Sequence, residues 1–134
     1  MIGFVNGFDI RKYATDSQHE TKIASMTAFI YSKIMIPTPH AIDVFIRQRA
    51  PQTPLTGQMF IDAKNKYAIG EMGLFVLMAL IQNDTMYGTK GIGAKLHNPG
   101  NIGNDDEGNT REYGTWENGV DAVAKWLDNH RVKA

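Results

Sequence analysis

The chain contains no cysteine, which excludes disulfides and thiolate zinc sites. It carries no excess of either charge, with 14 Lys and Arg against 14 Asp and Glu. That balance argues against a nucleic-acid binder driven by phosphate neutralisation. Long apolar runs are also missing. The longest, Leu74 to Ile81, is far too short to span a bilayer. The opening stretch lacks the apolar core of a secretory leader, since charges arrive at Asp9 and Arg11, so no signal peptide is expected. The four histidines are scattered with no i, i+4 pair, and no metal is expected. Ser17, Ser25 and Ser32 stand in no nucleophile elbow. Gly88, Gly91 and Gly93 do not space as a dinucleotide fingerprint, and residues 88–95 do not fit a phosphate loop. Asp105, Asp106 and Glu107 lack a calcium-loop register. No cofactor is implied, and neither repeats nor low-complexity segments occur.

What remains suits one modest core: 134 residues, 43% of them hydrophobic. Residues 1–16 show no period and read as an extended or loose arm. Residues 17–35 read as a helix with Ile23, Met26, Ala28, Ile30 and Ile34 inward, capped by Ser17 or Thr21. Pro37 and Pro39 stop it. A short helix over residues 40–49 presents Ile42, Phe45 and Ile46. Thr56 is a good N-cap for a helix with Met59, Phe60, Ala63 and Tyr67 inward. Gly70 breaks the chain, and Glu71 opens the next helix, which runs apolar to about Asn83. Residues 88–115 are Gly-rich and read as loop, with a small hairpin around Asn109 to Tyr113; long irregular segments in compact domains are usually functional. A last helix starts near Glu117, capped by Thr115, with Val120, Val123, Ala124 and Leu127 as its stripe.

The chemistry gathers where the apolar helix ends. Asp84 stands at the C-terminal end of a segment that belongs in a core. Low dielectric and the negative end of the helix dipole both favour the protonated acid there, which is what a general acid needs. The bland alternative is that Asp84 caps the turn from Thr85 to Gly88. Pro99-Gly100 predicts a tight turn with Gly100 at positive φ. Around it, Asn98 and Asn101 either brace the loop or bind acetamido groups. Tyr87, Tyr113 and Trp116 are candidate stacking faces for sugars, with core packing the alternative, favoured for Trp116. Asp105, Asp106 and Glu107 are candidates for a second carboxylate, with a solvated acidic turn the favoured alternative.

Three segments carry a resemblance, in order: Asp84-Thr85-Met86-Tyr87-Gly88, Asn98 to Gly103, and Trp116-Glu117-Asn118-Gly119. They resemble the Glu-Ser-x-Phe-Gly, Asn-Pro-Gly-Asn-Ile/Val-Gly and aromatic-Trp-x-x-Gly segments of the lysozyme-like superfamily. Small phage and bacterial peptidoglycan glycosidases and lytic transglycosylases are the nearest match, over roughly residues 50–131. The resemblance implies a mainly α (α+β lysozyme-like) fold with the Gly-rich loop or hairpin bordering a glycan cleft. Residues 36–134 would form that domain, and residues 1–35 an arm and helix of unassigned role. It implies Asp84 as the catalytic acid, and Thr85, Tyr87, Asn98, Asn101, Tyr113 and Trp116 as substrate-binding residues. The bond cleaved would be the β-1,4 link between N-acetylmuramic acid and N-acetylglucosamine. The partners implied are peptidoglycan strands, and other virion proteins if the chain is phage-encoded. Without a leader, the protein would reach the cell wall through a holin or in a virion. An inactive wall-binding or virion module and an N-acetylglucosaminidase are the other readings. The pattern has Glu where this chain has Asp84, an acid about 1–1.5 Å shorter in reach. A misplacement of about 1 Å can cost on the order of 100-fold in rate, so either the cleft fits the shorter acid or activity is low.

Overall fold

The computed structural model describes residues 4–11, 18–103 and 110–132. Its elements in order are β1 (Phe4–Val5), β2 (Phe8–Asp9), α1 (His19–Lys33), α2 (Pro39–Arg49), α3 (Gly57–Tyr67), α4 (Gly70–Thr85), α5 (Gly91–Lys95) and α6 (Trp116–Asn129). The protein is mainly helical, as the apolar spacing predicts.

Helix α4 is the centre. Every residue from Gly73 to Ile81 is buried, because α1, α3, α5 and α6 all pack against it. A helix apolar on all sides has no solvent face to offer. Each large side chain buried there contributes about 1.5–3 kcal/mol. Around it lie Ile23 and Ile30 of α1, Phe60 of α3, and Val120, Val123 and Leu127 of α6, all in one core.

The surrounding helices start where side chains satisfy their open amides. Thr38 accepts from Ala41 N at 3.1 Å, with Pro39 in the first turn of α2. Thr56 caps α3 through Met59 N, as its sequence position predicts, and Asp43 of α2 accepts from Gly57 N at 2.6 Å. That bond ties the start of α3 to α2. Thr115 caps α6 through Asn118 N at 3.1 Å.

Several expectations are revised. Over its described part, residues 4–11, the N-terminal segment is a packed hairpin rather than a loose arm. Asn6 and Gly7, both at positive φ (48° and 89°), turn β1 back on β2 with Val5 opposite Phe8. Val5, Phe8 and Ile10 are buried. Asp9 N donates to His130 O at 2.7 Å and Val132 N to Gly7 O at 2.8 Å, tying the hairpin to the segment that follows α6. The core therefore runs across residue 35 without a break. Helix α1 starts at His19 behind Gln18, with no side-chain cap from Thr21; Ser17 lies outside the described residues. Its inward stripe is Ile23, Thr27, Ile30 and Ile34, and Ala28 faces out. Thr27 is tolerated inside because its hydroxyl donates to Ile23 O at 2.7 Å. The Gly-rich segment contains the short helix α5. Residues 110–113 form no strand, and Asn109 lies outside the described residues.

Candidate functional site

The C-terminal end of α4 is a tightly turned junction. Met86 and Tyr87 both adopt left-handed backbone (φ 45° and 56°), followed by Gly88 at 80°. Such conformations cost non-glycine residues roughly 1–2 kcal/mol each and collect at functional sites. Burial holds the strain in place. The Tyr87 ring is fully buried, edge-on to Phe60, and its hydroxyl donates to Gln82 Oε1 at 3.1 Å. Its carbonyl accepts from buried Thr53 Oγ1 at 2.6 Å. Burial pushes the Tyr87 phenol well above its ordinary pKa.

Thr85 joins this junction to the next loop. Its hydroxyl donates to Pro99 O at 2.7 Å and accepts from Gly88 N at 3.0 Å. Thr85 O also accepts from Thr89 N and Lys90 N, both at 2.9 Å. One residue thus closes α4, starts the Gly-rich loop and pins the Asn-Pro-Gly turn.

That turn is organised by Asn98, which is fully buried. Its Nδ2 donates to Ile102 O at 2.8 Å and Arg111 O at 2.9 Å, and its Oδ1 accepts from Ile102 N at 2.9 Å. The left-handed residue of the turn is Asn101 (φ 52°), not Gly100. Asn101 thereby points back at α4, with Nδ2 3.5 Å from Asp84 O. Its Oδ1 is buried without a hydrogen-bond partner among the described residues.

Asp84 is half-buried at the helix end, and its Oδ2 is sealed from solvent. Of the residues singled out by sequence, Asn101 is brought to the main-chain carbonyl of Asp84. Thr85, Tyr87 and Asn98 belong to the same junction, but they are buried and their polar atoms hold backbone or neighbouring side chains. In this conformation they shape the site rather than line its surface. Trp116 packs on Gly88, where a Cβ would stand 3.0 Å from its ring. It also meets the His97 ring edge-on at 5.0 Å. It anchors α6 to the junction, the core role its position suggests. Asp105, Asp106 and Glu107 lie outside the described residues.

Tyr113 lies elsewhere. It lines an open groove of about 420 Å³ along α6, with Ile102, Arg111, Asn118, Lys125 and Trp126 among the walls. One face of Trp126 is covered by His130, stacked at 3.9 Å. The Asn98–Ile102 turn links the two places, sending Asn101 toward Asp84 and Ile102 into the groove. Trp126 was not singled out by sequence as a site residue, because a lone Trp on an amphipathic helix reads equally as core. Thr53 was missed too, since a threonine in a Pro-flanked turn carries no signal of a partner 34 positions on.

Among the described residues, no group of three or more His, Cys, Asp or Glu side chains could hold a metal ion, and no helix is long and apolar enough to cross a membrane. Comparison with protein-family models, curated proteins and solved structures finds no match to the chain.

Proposed function

We propose that this protein is a peptidoglycan-cleaving glycosidase of muramidase or lytic transglycosylase type, acting on the N-acetylmuramic acid to N-acetylglucosamine β-1,4 bond. The observation that carries this reading is the placement of Asp84 at the strained end of the buried helix α4, with the Asn101 amide against its main-chain carbonyl. The acid is partly screened from water, and the Asn101 amide at the same helix end has an acceptor oxygen unused by the described residues. The three motifs that resemble lysozyme-like enzymes support the choice of substrate.

In the proposed mechanism Asp84 gives its proton to the leaving glycosidic oxygen. The sugar cation is then captured by water, or by the muramyl 6-hydroxyl to leave an anhydro end. The second path needs no second carboxylate. The α6 groove with Tyr113 and Trp126 offers aromatic edges and amides for neighbouring sugars. The site of action would be the bacterial cell wall, reached from a phage particle or through a holin.

Digestion of purified sacculi by the native protein and by Asp84→Asn, with products resolved by mass spectrometry, tests this. Muropeptides from the native protein alone are expected, and their ends separate hydrolysis from transglycosylation and one glycosidic bond from the other. No products from either protein would refute catalysis, and binding of intact sacculi in that case would favour a wall-binding module. Asp84→Glu adds a second reading: an adapted cleft loses activity with the longer acid, and a dormant one gains it.

A further inference from the structure

The strongest unassigned feature is the outer face of α1 and α2. From Thr21 to Ile61 the chain has one carboxylate, Asp43, against Lys22, Lys33, Arg47 and Arg49. Asp43 is already engaged by Gly57 N. The chain as a whole is neutral, so this stretch, with four cations against one carboxylate, is locally positive because acidic residues are scarce in it. Lys33, Arg47 and Arg49 form no ion pair with a carboxylate among the described residues. Lys33 and Arg49 lie over aromatic rings instead, Arg49 at 4.6 Å from Phe29 and 4.3 Å from Phe45, and Lys33 at 5.4 Å from Phe29.

Next to Lys33 in the chain lies apolar surface that the core leaves uncovered. Met35 and Ile36, in the connection between α1 and α2, are 72% and 78% exposed, more than any other large apolar side chain of the core-forming segments. Pro37 and Pro39 follow at once and stiffen the connection. Phe29 and Val44, also exposed, wall a groove of about 380 Å³ between the two helices, with Lys33 and Arg49 at its edges.

We propose that this face docks on an anionic lipid surface, with Met35 and Ile36 entering the interface and Lys33 and Arg49 meeting lipid phosphates. Two consecutive apolar side chains on a stiff connection present a point, which suits insertion between headgroups. Recognition of a partner helix would call instead for a continuous stripe. Cations beside that point are the arrangement that holds peripheral proteins on acidic bilayers. Their aliphatic stems cover apolar surface while their heads stay in water. Charge argues against a second copy as the occupant, because pairing this face with itself brings Lys33 and Arg49 against their own counterparts. The proposal is independent of the peptidoglycan reading.

The test is co-sedimentation of the full chain with vesicles of phosphatidylcholine plus phosphatidylglycerol, and of phosphatidylcholine alone, at low and high salt. Binding to the acidic vesicles only, weakened by salt, is expected. Each cation near such a surface contributes about 1 kcal/mol, so Lys33→Gln should weaken partitioning about fivefold. Ile36→Ser should weaken it about tenfold, and Ile92→Ser, exposed on α5, should leave it unchanged. Ile36 is exposed enough that its replacement leaves folding intact, which circular dichroism checks. No vesicle binding, equal binding to neutral vesicles, or an Ile36→Ser protein that binds like the native one would each overturn the proposal. Self-association that Ile36→Ser abolishes, without vesicle binding, would overturn it in favour of a dimer.

Discussion

Removing the Asn98 side chain should unfasten the loop beside Asp84. The amide makes three hydrogen bonds, to Ile102 O, Arg111 O and Ile102 N, all between 2.8 and 2.9 Å, and none of the residue is exposed. Asn98→Ala strips a partner from each of those backbone groups. A buried polar group left unsatisfied costs about 1–3 kcal/mol. Ile102 is only half-buried, so water recovers part of the loss, and about 3–5 kcal/mol is expected. At about 4 °C per kcal/mol for a domain of this size, the melting temperature falls by about 12–20 °C. Asn98→Asp sharpens the test. It keeps the acceptor for Ile102 N but turns a second oxygen toward two carbonyls, which disfavours the charged form and raises the pKa of the introduced carboxyl in the folded state. Its deficit against the native protein is therefore smallest below about pH 4, where the carboxyl is neutral in both states, and grows as pH rises through the folded-state value. Urea unfolding followed by circular dichroism gives the stabilities, and amide hydrogen exchange at Ile102 reports the local bond. A loss below about 1 kcal/mol for Asn98→Ala with unchanged Ile102 protection would refute the bracing role and return Asn98 to ligand contact.

Thr85→Val should cost about 2–4 kcal/mol, because it leaves Gly88 N and Pro99 O unpaired; Thr85→Ser, which keeps the hydroxyl, should stay within about 1 kcal/mol. Gly119→Ala would place a Cβ 2.2 Å from His97 O and 2.6 Å from Pro99 Cδ. Thermal melts should register a loss of about 2–3 kcal/mol as α6 moves off the loop, and a native-like melt would show that the contact yields. The Asp9 carboxyl is held at about 2, below its ordinary 3.8, by side-chain and then backbone hydrogen bonds to Arg11. The pair therefore helps the fold above about pH 3.8, and its help is lost as pH falls toward 2. Carboxyl chemical shifts should show Asp9 returning toward 3.8 in Arg11→Gln, and an Asp9 that titrates near 3.8 in the native protein would contradict the pairing.

Much of the helical frame was legible because its causes are local. Thr56 and Thr115 cap helices wherever they precede an amphipathic stretch, Pro37 keeps α1 from continuing, and Pro39 suits the first turn of α2. The run from Leu74 to Ile81 has no polar face, so it must lie inside. The Asn6-Gly7 turn was equally local, but two-residue strands give too short an alternation to announce themselves. Docking on the last helix, through His130 and Val132, completes that hairpin.

The site divides in the same way. Sequence alone determined that Asp84 ends a buried helix, since apolar periodicity stops there and a Gly-rich loop begins. Only the tertiary structure decided that Thr85, Tyr87 and Asn98 turn inward while Asn101 turns toward Asp84. Those orientations depend on partners distant in the chain: Pro99 for Thr85, Thr53 for Tyr87, and Arg111 for Asn98. A side-chain amide or hydroxyl bonds equally well to a sugar or to a backbone. Which of these it meets depends on what the fold places within about 3 Å, and residue type and spacing along one chain do not carry that distance.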